Sequence, residues 1–117
     1  MAAHYVLTNS KDGQVMFNLK AANGQVVLTS ERYTTKSAAE NGIESVRKNS
    51  AMDDRYERRE NSKGEPYFIL KAGNAQEIGR SEYYSSAGAM ENGIDSVKVN
   101  GPSATVVDET ALVTQKA

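Results

Sequence analysis

Apolar and polar residues alternate from Val15 to Ala21, and the same rhythm returns 51 positions later. Phe17-Asn18-Leu19-Lys20-Ala21 falls on Phe68-Ile69-Leu70-Lys71-Ala72, and Glu40-Asn41-Gly42-Ile43 falls on Glu91-Asn92-Gly93-Ile94, with no gap between. Roughly a third of the paired positions are identical, against about one in twenty by chance, so the chain is one motif written twice. Each copy begins with strands. Tyr5 to Asn9 is a short strand, Ser10 to Gly13 a turn, Val15 to Ala21 a second strand, Ala22-Asn23-Gly24 a hairpin turn and Gln25 to Ser30 a third strand. The second copy has Gly73-Asn74-Ala75 at the hairpin. Alanine disfavours positive φ, so the two turns are expected to differ in type.

The period then changes. Ala39, Ile43 and Val46 recur at helical spacing, as do Met90, Ile94 and Val97, which predicts helices near 35–49 and 86–100. Thr34 and Ser85 are the candidate N-caps, with Tyr33 and Tyr84 placed to staple onto Ala38 and Ala89. Ser37-x-x-Glu40 offers a second start. Asn41-Gly42 and Asn92-Gly93 are turn signals, but the apolar period runs through both, so the helices are read as continuous. Glycine there costs about 1 kcal/mol against alanine, which close approach of helix and sheet offsets. Arg55 to Glu60 closes the first copy and opens the second, and Ala104 to Thr110 closes the second. The expectation is one pseudo-two-fold domain over 1–110, with repeats at about 4–54 and 55–110 and a frayed tail from Ala111 to Ala117.

Comparison of the copies separates inside from outside. Phe17/Phe68, Leu19/Leu70 and Val27/Ile78 stay apolar and are assigned to the face that meets the helices. Met16, Asn18, Lys20, Leu28, Tyr67, Ile69 and Lys71 are assigned to the opposite face, left open as antiparallel sheets tolerate. That face is the candidate interaction surface, with apolar groups ringed by polar ones.

Composition narrows the chemistry. The 117 residues contain no cysteine and one histidine, His4, which argues against thiolate metal sites, a cysteine nucleophile, a Ser–His–Asp triad and multi-histidine metal sites. No cofactor or metal set is read from the chain. The net charge is −1, so a bulk electrostatic case for nucleic acid or an anionic membrane is missing. No leader and no membrane span are read, and a cytoplasmic protein is the expectation.

Several residues carry potential chemistry. Lys20 and Lys71 stand at equivalent strand ends; lysine stems covering the sheet surface are the simpler account, and an anionic ligand held across the pseudo-axis is the functional one. Glu31 and Glu82 would do acid–base work if the two-fold paired them; turn formation is the simpler account of the Ser-Glu motifs. Tyr5, Tyr33, Tyr56, Tyr67, Tyr83 and Tyr84 would stack bases only if several lined the open face. Arg55, Arg58 and Arg59, broken by Glu57 and Glu60, read as ion-paired, and Asn23 and Asn74 as turn residues.

Phe-x-Leu-Lys-Ala-x-Asn, then Ser-Glu-x-Tyr, then Asn-Gly-Ile-x-Ser-Val, twice at one spacing, resembles the YegP-like family of bacterial proteins over residues ~4–110. The resemblance implies tandem β3-α-β units of α+β class. They would share one largely antiparallel sheet with two helices on one face, their C-terminal strands exchanged between repeats. The sequence departs from the pattern at Gly79 and Ala75. The resemblance brings no assigned activity, hence no catalytic residues. The expected function is a small non-catalytic binding or protein-interaction module on the open sheet face, monomeric because the duplication already closes the two-fold. Single-stranded nucleic-acid binding is the alternative and an enzyme the third reading.

Overall fold

The computed structural model of the chain describes residues 2–10 and 12–110; the tail from 111 to 117 lies outside the described residues. Strands β1 (His4–Asn9), β2 (Val15–Lys20) and β3 (Val26–Ser30) lead into helix α1 (Lys36–Asn49). After a short 3-10 turn (Asp53–Arg55), β4 (Tyr56–Glu60), β5 (Pro66–Lys71) and β6 (Glu77–Arg80) lead into α2 (Ala87–Asn100), and β7 (Thr105–Asp108) follows. The strands form one seven-stranded sheet in the order β4-β5-β6-β3-β2-β1-β7. Its pairings are antiparallel except β1 with β7, which is parallel.

The two copies meet where β3 pairs with β6 through Thr29↔Arg80 and Ser30↔Gly79. Ser30 Oγ accepts the Phe17 N–H at 2.8 Å and Gly79 pairs with Leu70, two residues from Phe68. Phe17 and Phe68 therefore share one face. Phe17 packs at Gly42 of α1 and Phe68 at Gly93 of α2, so both helices lie on that face. Tyr5, Phe17, Leu19, Ile43, Phe68, Leu70 and Ile94 belong to one continuous buried cluster.

The repeated Ser-Glu motif has a structural cause. Ser30 and Ser81 end their strands by accepting the N–H of Phe17 and Phe68 and donating to the carbonyls of Glu31 and Glu82. The N-caps stand one residue later than expected. Thr35 accepts from Ala38 N–H at 3.0 Å and Ser86 from Ala89 N–H at 3.1 Å, the roles assigned above to Thr34 and Ser85. The hairpin turns also differ from expectation by being alike. Ala75 takes φ 71° where Gly24 takes 84°, and both N–H groups bond the residue three back at 2.9 Å.

Tyr33 and Tyr84, just ahead of the helix starts, pack into the core. Their rings stack on Phe17 and Phe68, with centroids 6.3 and 6.4 Å apart, and their hydroxyls rest against Gly42 and Gly93. A Cβ on Gly42 would stand 2.8 Å from Tyr33 Cζ, and one on Gly93 2.7 Å from Tyr84 Cζ. The helices run unbroken through both Asn-Gly pairs because a tyrosine occupies the space a side chain would need. Gly93→Ala should therefore destabilise by about 1–2 kcal/mol, overpacking outweighing the gain in helix propensity. Adding Tyr84→Phe, which removes the hydroxyl, should recover part of the loss in a urea-denaturation cycle. A net gain from Gly93→Ala alone would refute the contact.

Strand β7 is tethered through Asp108, which pairs with Lys36 at the start of α1 and accepts from Thr110 N–H at 2.9 Å. The Lys36 ammonium and then Thr110 pull its carboxyl down to about 2. A depressed carboxylate stabilises the fold above its unfolded value and loses that contribution as pH falls through the folded one. The thermal-midpoint difference between wild type and Asp108→Asn should hold at neutral pH and vanish as pH falls from about 4 to about 2.

Candidate interaction surface

The sheet registers define the row that faces away from the helices: Val107, Val6, Asn18, Thr29, Arg80, Ile69 and Glu57. Asn18 Nδ2 donates to Thr29 Oγ1 at 2.9 Å within it. Two register shifts interrupt strict alternation. Leu19 pairs with Leu28 but Lys20 with Val26, and Leu70 pairs with Gly79 but Lys71 with Glu77, leaving Val27 and Ile78 as the extra residues. Such a bulge turns two successive side chains to one side. Leu28 therefore joins Val27 in the core, with no exposure, and is withdrawn from the open face.

Tyr67 and Ile69 do lie on the open side, yet Ile69 is only 1 % exposed and Tyr67 is buried. Long charged side chains surround them. Glu57 pairs with both Arg59 and Lys71, and Arg80 holds Glu77 at 2.9 and 3.1 Å. The Arg80 guanidinium lies 5.9 Å from the Tyr67 ring centroid. Lys and Arg stems cover apolar surface while their heads stay wet, so half of the expected apolar patch is beneath an ionic layer. Met16, Asn18 and Lys20 remain partly exposed on the other half.

The two lysines are not brought together. Their strands run in opposite directions and stand about 14 Å apart, which with the offset along the strands places Lys20 and Lys71 about 20 Å from each other. Lys71 is neutralised by Glu57, whereas Lys20 has no ion pair among the described residues. They cannot clamp one small anion.

Glu31 and Glu82 are not paired either. The Glu77 carboxyl holds that of Glu31 above the usual range, while Arg80 holds that of Glu77 below it. Periodicity gave no hint of this pair, since Glu77 matches Val26 in the first copy. A hollow of about 410 Å³ opens beside it on the sheet, lined by Met16, Thr29, Ser30, Glu31, Arg32 and Arg80. Glu82 lines a different, larger groove on the helix side.

The remaining candidates have structural partners. Tyr5 and Tyr56 are buried and donate to Gly101 O and Ser50 O, each at 2.6 Å. Arg58 bridges Glu91 and Asp53, tying β4 to α2, and Arg55 donates to Asn49 Oδ1 at 2.9 Å. Asn23 and Asn74 accept from the N–H of Gln25 and Gln76, as turn residues do. No helix among the described residues is long and apolar enough to cross a membrane.

Fold and surface define a duplicated α+β protein whose two copies share one sheet and one core. The chain belongs to the family of the domain of unknown function DUF1508, whose model matches twice, at residues 10–57 and 61–108. It is similar to a UPF0339 protein from Mannheimia succiniciproducens, 60 % identical over 106 residues, 91 % of this chain and 94 % of that one. Two solution NMR structures resemble it closely. The UPF0339 protein of Shewanella oneidensis is 50 % identical with a TM-score of 0.89, covering 95 % of this chain and 94 % of that one. YegP of Escherichia coli is 53 % identical with a TM-score of 0.88, covering 94 % and 95 %.

Proposed function

We propose that this protein is a non-catalytic binding module that receives an extended protein segment across the open sheet face, at the hollow between Met16, Thr29, Glu31, Arg32 and Arg80. The observation that carries the reading is that hollow, where Met16, Thr29 and Ser30 lie among two guanidinium groups and a carboxylate. Its charges are held only by exposed pairs, Arg32 with Asp12 at 3.6 Å and Arg80 with Glu77. Such pairs contribute little, so a partner replaces them at small cost. Met16, Asn18 and Lys20 extend the surface, and Tyr67, Ile69 and Lys71 supply its rigid, ion-capped half. Mixed charge favours a protein segment over nucleic acid. Of the six tyrosines only Tyr83 is exposed, whereas base stacking calls for several rings.

On this reading the units exchange closing strands, β4 pairing with β5 and β7 with β1. The chain acts as a monomer, and light scattering should find one mass at all concentrations.

The test is capture on immobilised protein with bound species identified by mass. Lys20→Glu combined with Arg80→Glu should weaken capture of the same species about tenfold or more, and Lys48→Glu on the exposed side of α1 should not. Equal capture by the double variant and wild type would remove the open face from consideration.

A further inference from the structure

A groove of about 710 Å³ runs between the first copy's β2–β3 hairpin and the second copy's strand-to-helix turn, floored by Val26, Val27 and Ala89. Its size is that of a site for a small molecule. Glu82, Tyr83, Tyr84 and Asn92 also line it. Among the described residues the Glu82 carboxylate, the Tyr84 hydroxyl and the Asn92 carboxamide have no hydrogen-bond or ion-pair partner. Burial and then the charge of Glu82 raise the Tyr84 phenol above its ordinary range.

The duplication makes the feature informative. In the first copy the residue matching Glu82 is Glu31, which meets Glu77, with Arg80 supplying the compensating charge. The residue matching Glu77 is Val26, which lines the groove and carries no charge. Among the described residues Glu82 is thus the only charged one lining an otherwise neutral groove, and none of them pairs with it. Tyr83, which follows it where the first copy has Arg32, turns its ring to the open face, edge-on to Tyr67 with centroids 5.3 Å apart. A carboxylate beside an apolar floor is what recognises an ammonium group carried on an apolar body.

We propose that this groove binds a small organic cation, a protonated amine on an apolar body. The ammonium sits at Glu82, the body over Val26, Val27 and Ala89, and Tyr84 and Asn92 are available to a polar substituent. The site is separate from the open sheet face.

Titration of the intact protein with 4-phenylbutylammonium, followed by amide NMR, tests the proposal against the neutral 4-phenylbutanol. The amine should give saturable shifts at Val26, Ala89 and Asn92 and bind about tenfold more tightly than the alcohol, as loss of one charge pair implies. Glu82→Gln should abolish that preference, while Glu31→Gln and the Lys20→Glu, Arg80→Glu pair should keep it. No saturable shift, equal binding of amine and alcohol, shifts confined to other surfaces, or a preference that survives Glu82→Gln would each overturn the assignment.

Discussion

Gly79→Leu should cost about 3 kcal/mol or more and leave the protein largely unfolded under mild denaturant, although it makes the two copies more alike. Leu28 is the matching residue, so the substitution restores the internal repeat. The structure forbids it. Ser30 pairs with Gly79 where the copies meet, and a Cβ there would stand 2.6 Å from the carbonyl oxygen of Thr29 and 3.3 Å from Leu28 Cγ. The first obstacle is backbone inside a central strand pair, which cannot swing aside as a side-chain end can. The second is Leu28 itself, which fills the space beside the junction for both copies. Gly79→Ala should already destabilise by about 1–3 kcal/mol. Pairing Gly79→Leu with Leu28→Gly should not restore stability, because the Thr29 carbonyl remains. Urea unfolding with an unmoved midpoint for Gly79→Leu would show that the junction is looser than the geometry states.

That junction marks where reading by repeat succeeds and where it stops. Phe17/Phe68, Ile43/Ile94 and Val46/Val97 were legible because each copy repeats them at strand or helix spacing. Both helices were legible for the same reason, Asn-Gly pairs included. Leu28 was misassigned because a bulge carries no distinctive residue. Alternation within β3 says nothing of the extra residue at Val27 that turns Leu28 inward. Ile69 was placed on the correct face, yet its burial depends on Glu57, Arg59, Lys71 and Arg80 meeting across three strands. That register follows from which strands are neighbours, not from local pattern.

The candidate sites were less legible than the core because they arise from differences between the copies. Glu31 meets Glu77 while Glu82 faces a neutral groove, and the cause is a pair of substitutions, Val26 against Glu77 and Thr29 against Arg80. A two-fold argument assigns Glu31 and Glu82 the same surroundings. Tyr33 and Tyr84 illustrate the reverse case. Their surroundings are the same in both copies, but the glycine each rests on lies nine residues ahead, on a helix face whose orientation only the packed core determines.

Ile94→Ala and Ile43→Ala should each cost about 2–5 kcal/mol, out of the roughly 5–15 kcal/mol that holds a domain of this size. Both side chains are essentially inaccessible and lie in the single cluster that contains Phe17, Leu19, Phe68 and Leu70. The helices do not each cover only their own copy. α1 lies over β2, β5 and β6, and α2 over β3 and β5, so a cavity under either helix loosens strands of both copies. Tyr5 of the first copy also donates to Gly101 at the end of α2, 96 residues away. Each variant should therefore lower the urea midpoint in one cooperative step with the slope of the wild type, since the surface exposed on unfolding is unchanged. The double variant should fail to fold, the combined loss approaching the total stability. An intermediate plateau, with the copy carrying the alanine unfolded and the other intact, would mean that the two copies are separate cooperative units despite their shared sheet. An unmoved midpoint for either single variant would mean that its isoleucine is not part of the core that joins them.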